Sequence, residues 1–358
     1  MTGKLLRANL PAVRRDRRGF ILSEQKEAAG AAGAGETAAI VHKARKYGKQ
    51  KAWDFGDIQT ILGLVAQLPF AWLLPESWWG PLWRARLRLR LLTNRRAVRY
   101  AAKHMQAALE IPKRDALRHG EDLRAAVHEM QMQDLRGWRP GLWRRGGWRP
   151  KMRLEGEAHL QAALAQGKGA ILWLAPFVFN SATTKIVLHE KGYRVSHLSS
   201  PKHGYSETRF GVRYLNKVRC IPEDRCIAQR VVFDRYAPAT AMRRLMRALK
   251  AGEVVSIVAA STEGSDMIKA QVFGGTLPVA VGAPRLSGLT GAPVLPTFTI
   301  RDGKVFRTVI ETPLDLPRTG GNDERCVAAA AEFLGRSEPW VREFPGQWRA
   351  WSKWRAPQ

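Results

Sequence analysis

Strands and helices alternate along residues 154–315, and this alternation constrains the fold of the 358-residue chain more than any other feature. Residues 170–175 are a continuous apolar run of strand length, and residues 254–259 are apolar except for one serine; both are typical of strands buried on both faces. A stretch with helical spacing precedes each run and ends at a glycine, Gly167 or Gly252, the residue that commonly follows a helix. The pattern predicts an α/β fold with a mainly parallel sheet flanked by helices.

The same patterns predict further strands and helices. The additional predicted strands lie at 193–198, 294–300 and 305–310. The helical stretches before the two apolar runs lie at 156–167 and 239–250. Additional predicted helices lie at 95–109, 114–132 and 323–334, and one more is expected to end near residue 190.

Composition divides the chain into three regions. Residues 1–50 include an Ala/Gly-rich stretch at 29–39 with almost no large apolar residue, which predicts a disordered tail. No apolar core with a cleavage site follows Met1, so a cleaved signal peptide is not expected. Residues 51–153 form a basic, Trp-rich and predominantly helical region, and residues 154–354 form the α/β domain.

The basic region has the features of a segment that lies on a membrane. Its apolar stretch at 61–74 is shorter than the about 20 residues that a spanning helix needs, which favours an interfacial position. Tryptophans cluster at its end, and Gly-Trp-Arg-Pro occurs twice within 137–150. The C-terminal residues 345–354 mix Trp with Arg and Lys, and we expect them to dock on the same membrane face. The clustered tryptophans, which would form an aromatic belt, are Trp72, Trp78, Trp79 and Trp83. A buried core helix with a Trp-rich turn is the alternative.

The formal net charge of +28 indicates a polyanionic partner. Anionic phospholipid accounts for this charge as well as nucleic acid does, and no RNA-binding motif is evident, so no nucleic-acid partner is expected. The three cysteines provide neither a disulfide framework nor a zinc-ligand spacing, so no metal is expected.

Four segments, in their order and spacing, carry a resemblance to a known family. They are helix–strand pairs at 154–172 and 246–257, a Phe-Gly-Gly turn at 273–275 with a helix and strand at 282–296, and Phe-Pro-Gly-Gln-Trp at 344–348. The chain resembles the bacterial acyltransferases that add late acyl chains to lipid A, a group shared with acyltransferases of mannosylated phosphatidylinositol.

The resemblance implies a protein on the cytoplasmic face of a bacterial inner membrane. It implies transfer of a fatty acyl group from acyl carrier protein or acyl-coenzyme A to a hydroxyl of a lipid or glycolipid, with no cofactor. In the family a His acts as general base on that hydroxyl, and a carboxylate five residues later orients the imidazole.

This chain departs from the family motif after the predicted strand at 170–175. Pro176 stands where the His belongs and Ser181 where the carboxylate belongs, and neither side chain is a base near neutral pH. Phe177 matches the interior of the motif. We expect Phe177, Asn180 and Ser181 to contact substrate. After the second strand, Ala260 and Ser261 replace an acidic–polar pair.

A substitute base is available further along the chain. His203 and Glu207 are four residues apart and follow a predicted strand near the edge of the sheet where ligands bind. We therefore predict His203 as a relocated base and Glu207 as its orienting acid, the alternative being a solvated surface pair. Other candidate substrate-binding residues are Lys202, Arg209 and Arg213, which could hold a phosphate or form a solvated basic face, Ser261 and Glu263 after the second strand, and Phe273 and Gly274 in the turn.

Three functions remain open from the sequence. The first is an active acyltransferase with a shifted base, and the second is an inactive protein of the same fold that binds lipid or acyl carrier protein. The third and weakest is nucleic-acid binding.

Overall fold

The computed structural model describes residues 50–88, 95–138, 150–233, 238–259, 266–317 and 321–357, together with the backbone of three short strands before residue 50. The helices are α1 (Phe55–Leu73), α2 (Glu76–Arg88), α3 (Arg95–Leu109), α4 (Lys113–Trp138), α5 (Glu157–Leu164), α6 (Ala182–Glu190), α7 (Arg209–Arg213), α8 (Lys217–Asp224), α9 (Pro238–Lys250), α10 (Gly282–Thr290) and α11 (Asn322–Glu343). The strands are β1 (Arg14–Arg15), β2 (Ile21–Leu22), β3 (Ile40–His42), β4 (Lys151–Glu155), β5 (Ala170–Leu174), β6 (Val195–Ser199), β7 (Gln229–Val232), β8 (Val254–Val258), β9 (Asp266–Val272), β10 (Gly275–Ala280), β11 (Val294–Asp302) and β12 (Val305–Ile310).

The central sheet has seven strands in the order β4-β12-β11-β5-β8-β6-β7. Its neighbours pair in parallel except β11 and β12, which are antiparallel. Every residue of β5 is buried, because β11 and β8 flank the strand and helices cover both faces of the sheet. The predicted mainly parallel α/β fold is confirmed. Strand β4 begins at Lys151, so the sheet starts slightly before the expected boundary at residue 154.

A second sheet contains the hairpin β9–β10, which the sequence analysis did not predict as strands. Val272 pairs with Gly275, so Phe273 and Gly274 form a two-residue turn. Both have positive φ, 52° and 63°, as the favoured type I′ hairpin turn requires. The Phe273 ring lies within 6.0 Å of Trp351 and 5.8 Å of Trp348, measured between ring centroids. The turn that was expected to bind substrate is thus packed into an aromatic cluster.

Helices α1 to α4 pack on one another and on the α/β domain. Arg136 of α4 donates to the carbonyl oxygens of Ala71 and Leu74 at the end of α1, at 2.7 and 2.5 Å. Glu129 of α4 forms a salt bridge with Arg301 of β11. In the part of the chain that the structure describes, no helix has both the length and the apolar character required to cross a bilayer.

The C-terminal tryptophans are buried, so the prediction that they dock on a membrane is wrong. Trp348, Trp351 and Trp354 are each 1% exposed or less. The indole of Trp351 donates to the Pro345 carbonyl at 2.8 Å, and that of Trp354 to the Val272 carbonyl at 3.0 Å. These rings fill the space between the β9–β10 hairpin and the body of the protein.

The N-terminal tryptophans have mixed environments. Of the four that were expected to form an aromatic belt, Trp78 is exposed, Trp79 is buried, and Trp72 and Trp83 are half-buried. The predicted tail at 1–50 lies outside the described residues apart from Gln50 and the backbone of β1 to β3, and β3 pairs with β9. Most of the repeated motif at 137–150 also lies outside them.

Candidate active site

A cavity of about 660 Å³ opens at the carboxyl ends of the parallel strands β5, β6 and β8. Pro176 follows β5 in its wall, Ser199 and Ser200 mark the end of β6, and Val258 ends β8. Ligands bind at this edge in open α/β sheets, because helices do not cover the strand ends there. The volume lies in the range of small-molecule sites.

His203 lies in this cavity and is hydrogen-bonded to a buried carboxylate. Its Nε2 is 3.1 Å from both carboxylate oxygens of Glu223, which belongs to α8. Since an ionised carboxylate can only accept, Nε2 carries the hydrogen, and the neutral ring keeps its lone pair on Nδ1. Glu223 therefore sets the tautomer of the imidazole.

Glu223 also accepts from three other side chains. Lys185 Nζ of α6 donates at 2.6 Å, Arg230 Nη2 of β7 donates at 2.8 Å, and the hydroxyl of Ser181 donates as well. The side chains of Glu223 and Lys185 are 0% and 1% exposed. Burial alone would raise the pKa of Glu223, but Lys185, His203 and Arg230 hold this pKa well below its ordinary value. The carboxylate is therefore ionised, and it would stabilise a positive charge on His203.

His203 is neutral at physiological pH. Burial lowers its pKa from the ordinary value of 6.5, and the attraction of Glu223 opposes this effect only in part. The Lys185 ammonium also disfavours a second positive charge at this site. A general base requires a neutral imidazole with an unoccupied ring nitrogen; within the described residues, Nδ1 of His203 forms no hydrogen bond and Nε2 contacts the carboxylate.

The residues at the family motif positions line the same cavity as His203. They are Pro176, Phe177, Asn180 and Ser181. Asn180 Nδ2 donates to the Ala175 carbonyl at 2.6 Å, which holds the turn after β5. Ser181, at the carboxylate position of the motif, donates to Glu223, so the carboxylate from α8 lies beside the place where the family motif would have its own acid.

The carboxylate that contacts His203 is not the predicted one. Glu207 forms a 2.6 Å salt bridge with Lys202, and its side chain is 76% exposed. Residues 200–207 form turns rather than the helix that would place His203 and Glu207 on one face. Glu223 was missed because it lies twenty residues beyond His203 in another element, a separation that no local spacing rule covers.

Of the other predicted substrate-binding residues, some line the cavity and others lie elsewhere. Lys202 lines the cavity, whereas Arg209 and Arg213 are exposed on α7 and are not among its lining residues. Phe273 and Gly274 lie in the hairpin turn, away from the cavity lining. Ser261 and Glu263 lie outside the described residues.

A second buried network borders the cavity. Arg219 Nε donates to Asp134 of α4 at 2.8 Å, and the Tyr205 hydroxyl donates to the same carboxylate at 2.6 Å. Arg219 lines the cavity, as does Arg349 from the C-terminal segment. The network joins α4 to the turn that carries His203. Within the described ranges, no three His, Cys, Asp or Glu side chains are grouped as metal ligands would be.

Comparison with known proteins assigns the chain to a family. No individual curated protein matches it. The family model described as bacterial lipid A biosynthesis acyltransferase matches residues 142–354, which include the whole seven-stranded sheet and every residue of the cavity. The chain therefore belongs to the bacterial lipid A biosynthesis acyltransferase family.

Proposed function

We propose that this protein transfers a fatty acyl group from an acyl thioester to a hydroxyl of a lipid or glycolipid acceptor, with His203 as the general base. The observation that carries this proposal is the contact of His203 with the buried Glu223, beside Ser181 and inside the cavity that Pro176 also lines. A base and an orienting acid are thus available in a chain that lacks both at the positions of the family motif.

The proposed reaction moves one proton through His203. Nδ1 takes the proton of the acceptor hydroxyl as that oxygen attacks the thioester carbonyl carbon. The tetrahedral intermediate collapses with cleavage of the carbon–sulfur bond, and the departing thiolate takes the proton from the imidazolium. Glu223 stabilises the imidazolium while it exists. The products are an ester and a free thiol, and the histidine returns to its neutral state.

The apolar part of the cavity wall favours an acyl chain as one of the ligands. Its apolar members come from the end of β5, from β6 and β8, and from one face of α9. Apolar walls with a few placed polar groups are typical of sites for lipid-like ligands. The apolar lining residues include Phe177, Leu198, Phe233, Met242, Leu245 and Ile257. Acyl carrier protein and acyl-coenzyme A both remain candidate donors.

Purified protein should consume an acyl thioester in the presence of a hydroxyl-bearing glycolipid. We expect His203→Gln to lower kcat/KM by about 10²- to 10⁴-fold, the usual contribution of a general base. His189→Gln is the matched control, because His189 is exposed at the end of α6. Equal turnover by His203→Gln and wild type would refute the proposal. Absence of turnover in wild type with both donors would favour the inactive lipid- or carrier-binding alternative.

We further propose that α1 lies on the anionic phospholipid surface of the cytoplasmic face of a bacterial inner membrane. Exposed apolar side chains follow α1 at helical spacing, which gives the helix an uncovered apolar face. The net charge of +28 favours anionic headgroups. The exposed residues are Phe55, Ile58, Leu62, Val65, Phe70 and Leu73, with Trp53 and Trp78 beyond the helix ends.

Flotation with phosphatidylglycerol-containing vesicles tests this attachment. Leu62→Glu with Leu73→Glu should lower the partition coefficient at least about tenfold, because each leucine would lose its burial in the interface. Leu289→Glu, on an exposed leucine of α10, should leave partitioning unchanged. Equal loss in both variants, or binding to RNA but not to vesicles at matched salt, would contradict the membrane proposal.

A further inference from the structure

The cavity is rich in cationic side chains. Among its described lining residues there is one carboxylate, Glu207. The cations are Lys202, Arg219, Arg285, Arg349 and Lys353. Three of them are paired with acids: Lys202 with Glu207, Arg219 with Asp134, and Arg285 with Asp323. Because acids already neutralise these three cations, an anionic ligand would be favoured at a lining cation that forms no salt bridge.

Arg349 differs from those paired cations. Among the described residues its guanidinium forms no hydrogen bond and no salt bridge, and Asp134 attracts it only at longer range. Its backbone N–H donates to the Pro176 carbonyl at 2.8 Å, which fixes Arg349 at the end of β5. The preceding residue, Trp348, forms a β-bridge with Phe177. Arg349 is therefore held rigidly at the strand end where the family motif begins.

Arg349 is exposed and lines the cavity. Partial desolvation by nearby protein atoms lowers the pKa of Arg349 to about 10; the charge of Arg219 acts in the same direction, and the charge of Asp134 opposes it. An anion that enters the cavity would gain a charge-assisted contact with this guanidinium, which forms no salt bridge within the described residues.

We propose that Arg349 binds a phosphate group of the substrate. This inference rests on the proposed function, because neither a thioester carbonyl nor an acceptor hydroxyl is charged, and the anion must come from another part of a substrate. A planar guanidinium offers two parallel N–H donors, which fit two oxygens of a phosphate. The phosphate would belong either to the phosphopantetheine arm of the donor or to a phosphorylated headgroup of the acceptor.

Binding measurements on the full chain can identify the phosphate source without turnover. Calorimetric titration would compare phosphopantetheine with pantetheine, and a monophosphorylated acyl-glucosamine disaccharide with its unphosphorylated form. In the pair that contains the natural phosphate source, the ligand without phosphate should bind wild type about 10- to 100-fold more weakly than the phosphorylated ligand. This factor corresponds to the free energy of hydrogen bonds to charged groups. Arg349→Gln should bind the phosphorylated ligand of that pair as weakly as wild type binds the other form. Arg349 and the phosphate would then be energetically coupled.

Two matched variants complete the test. Arg243→Gln removes one exposed positive charge of α9 and should change these affinities less than twofold. Arg349→Lys keeps the charge but not the two parallel donors, and should bind with intermediate affinity. The proposal is overturned if Arg349→Gln discriminates between the members of each pair as strongly as wild type, or if wild type discriminates in neither pair. His203→Gln should bind the phosphorylated ligand normally, which separates this result from a failure of the proposed catalysis.

Discussion

The ends of strands β5 and β6 differ in whether they carry a possible general base. The end of β5 is where the family motif would place its base and acid, and it carries Pro176 and Ser181. The turn after β6 carries His203, whose carboxylate partner comes from α8. Only β8 separates the two strands, so their ends are about 10 Å apart. Because both strand ends border the same cavity, a base attached to either end could act in it.

The largest effect should follow removal of Glu223. Glu223→Ala leaves the buried Lys185 without its partner, and loss of one member of a buried ion pair costs about 3–5 kcal/mol in the free energy of unfolding. Urea denaturation would measure this loss. Glu207→Ala, which removes an exposed partner of Lys202, should cost less than about 1 kcal/mol. Adding Lys185→Met to Glu223→Ala should restore part of the stability. Similar losses for the two glutamates would contradict the role of Glu223 as the buried partner of Lys185.

The pH dependence of kcat/KM should show a moderate effect. Protonation of His203 removes the lone pair of the base, so activity falls as the pH decreases through its pKa. Burial lowers this pKa from 6.5, so the rate should reach half of its plateau value at a pH below 6.5 and decline tenfold per pH unit in still more acidic solution. A decline centred at or above pH 6.5 would contradict the assignment of His203 as a desolvated base.

The smallest effect should follow Ser181→Ala. Glu223 would lose one hydrogen bond and keep those from Lys185, Arg230 and His203, so the free energy of unfolding should fall by about 1–2 kcal/mol. The kcat/KM for acyl transfer should fall less than tenfold. A loss as large as that of His203→Gln would mean that the end of β5 takes a direct part in the reaction.

The fold was largely predictable because its sheet is built from strands with a strong local signal. The antiparallel pair β11–β12 and the helix α3 were predicted nearly to the residue, since each has a clear period of apolar positions. The hairpin β9–β10 was missed, because the residues on either side of the Phe-Gly-Gly turn were not interpreted as paired strands. The C-terminal tryptophans were placed at a membrane, since composition does not distinguish an interface from an aromatic core.

The site was predictable only in part. His203 was chosen because it follows a strand, and the structure places it in the cavity. Glu223, Lys185 and Arg349 reach the cavity region from three separate elements, and only the tertiary fold brings them together. A signal was nevertheless present for Lys185, a single lysine among the inward-facing residues of α6.

The four donors around Glu223 restrict the order in which substitutions can accumulate at this site. A lineage that loses the glutamate first inherits an uncompensated ammonium group in its core, a defect that later changes must repair. A lineage that first replaces Lys185 by an apolar residue retains an acid still bonded to Arg230 and His203, and can lose it afterwards with less damage. Ancestral sequences reconstructed along the two routes should therefore differ in how well they tolerate the intermediate step.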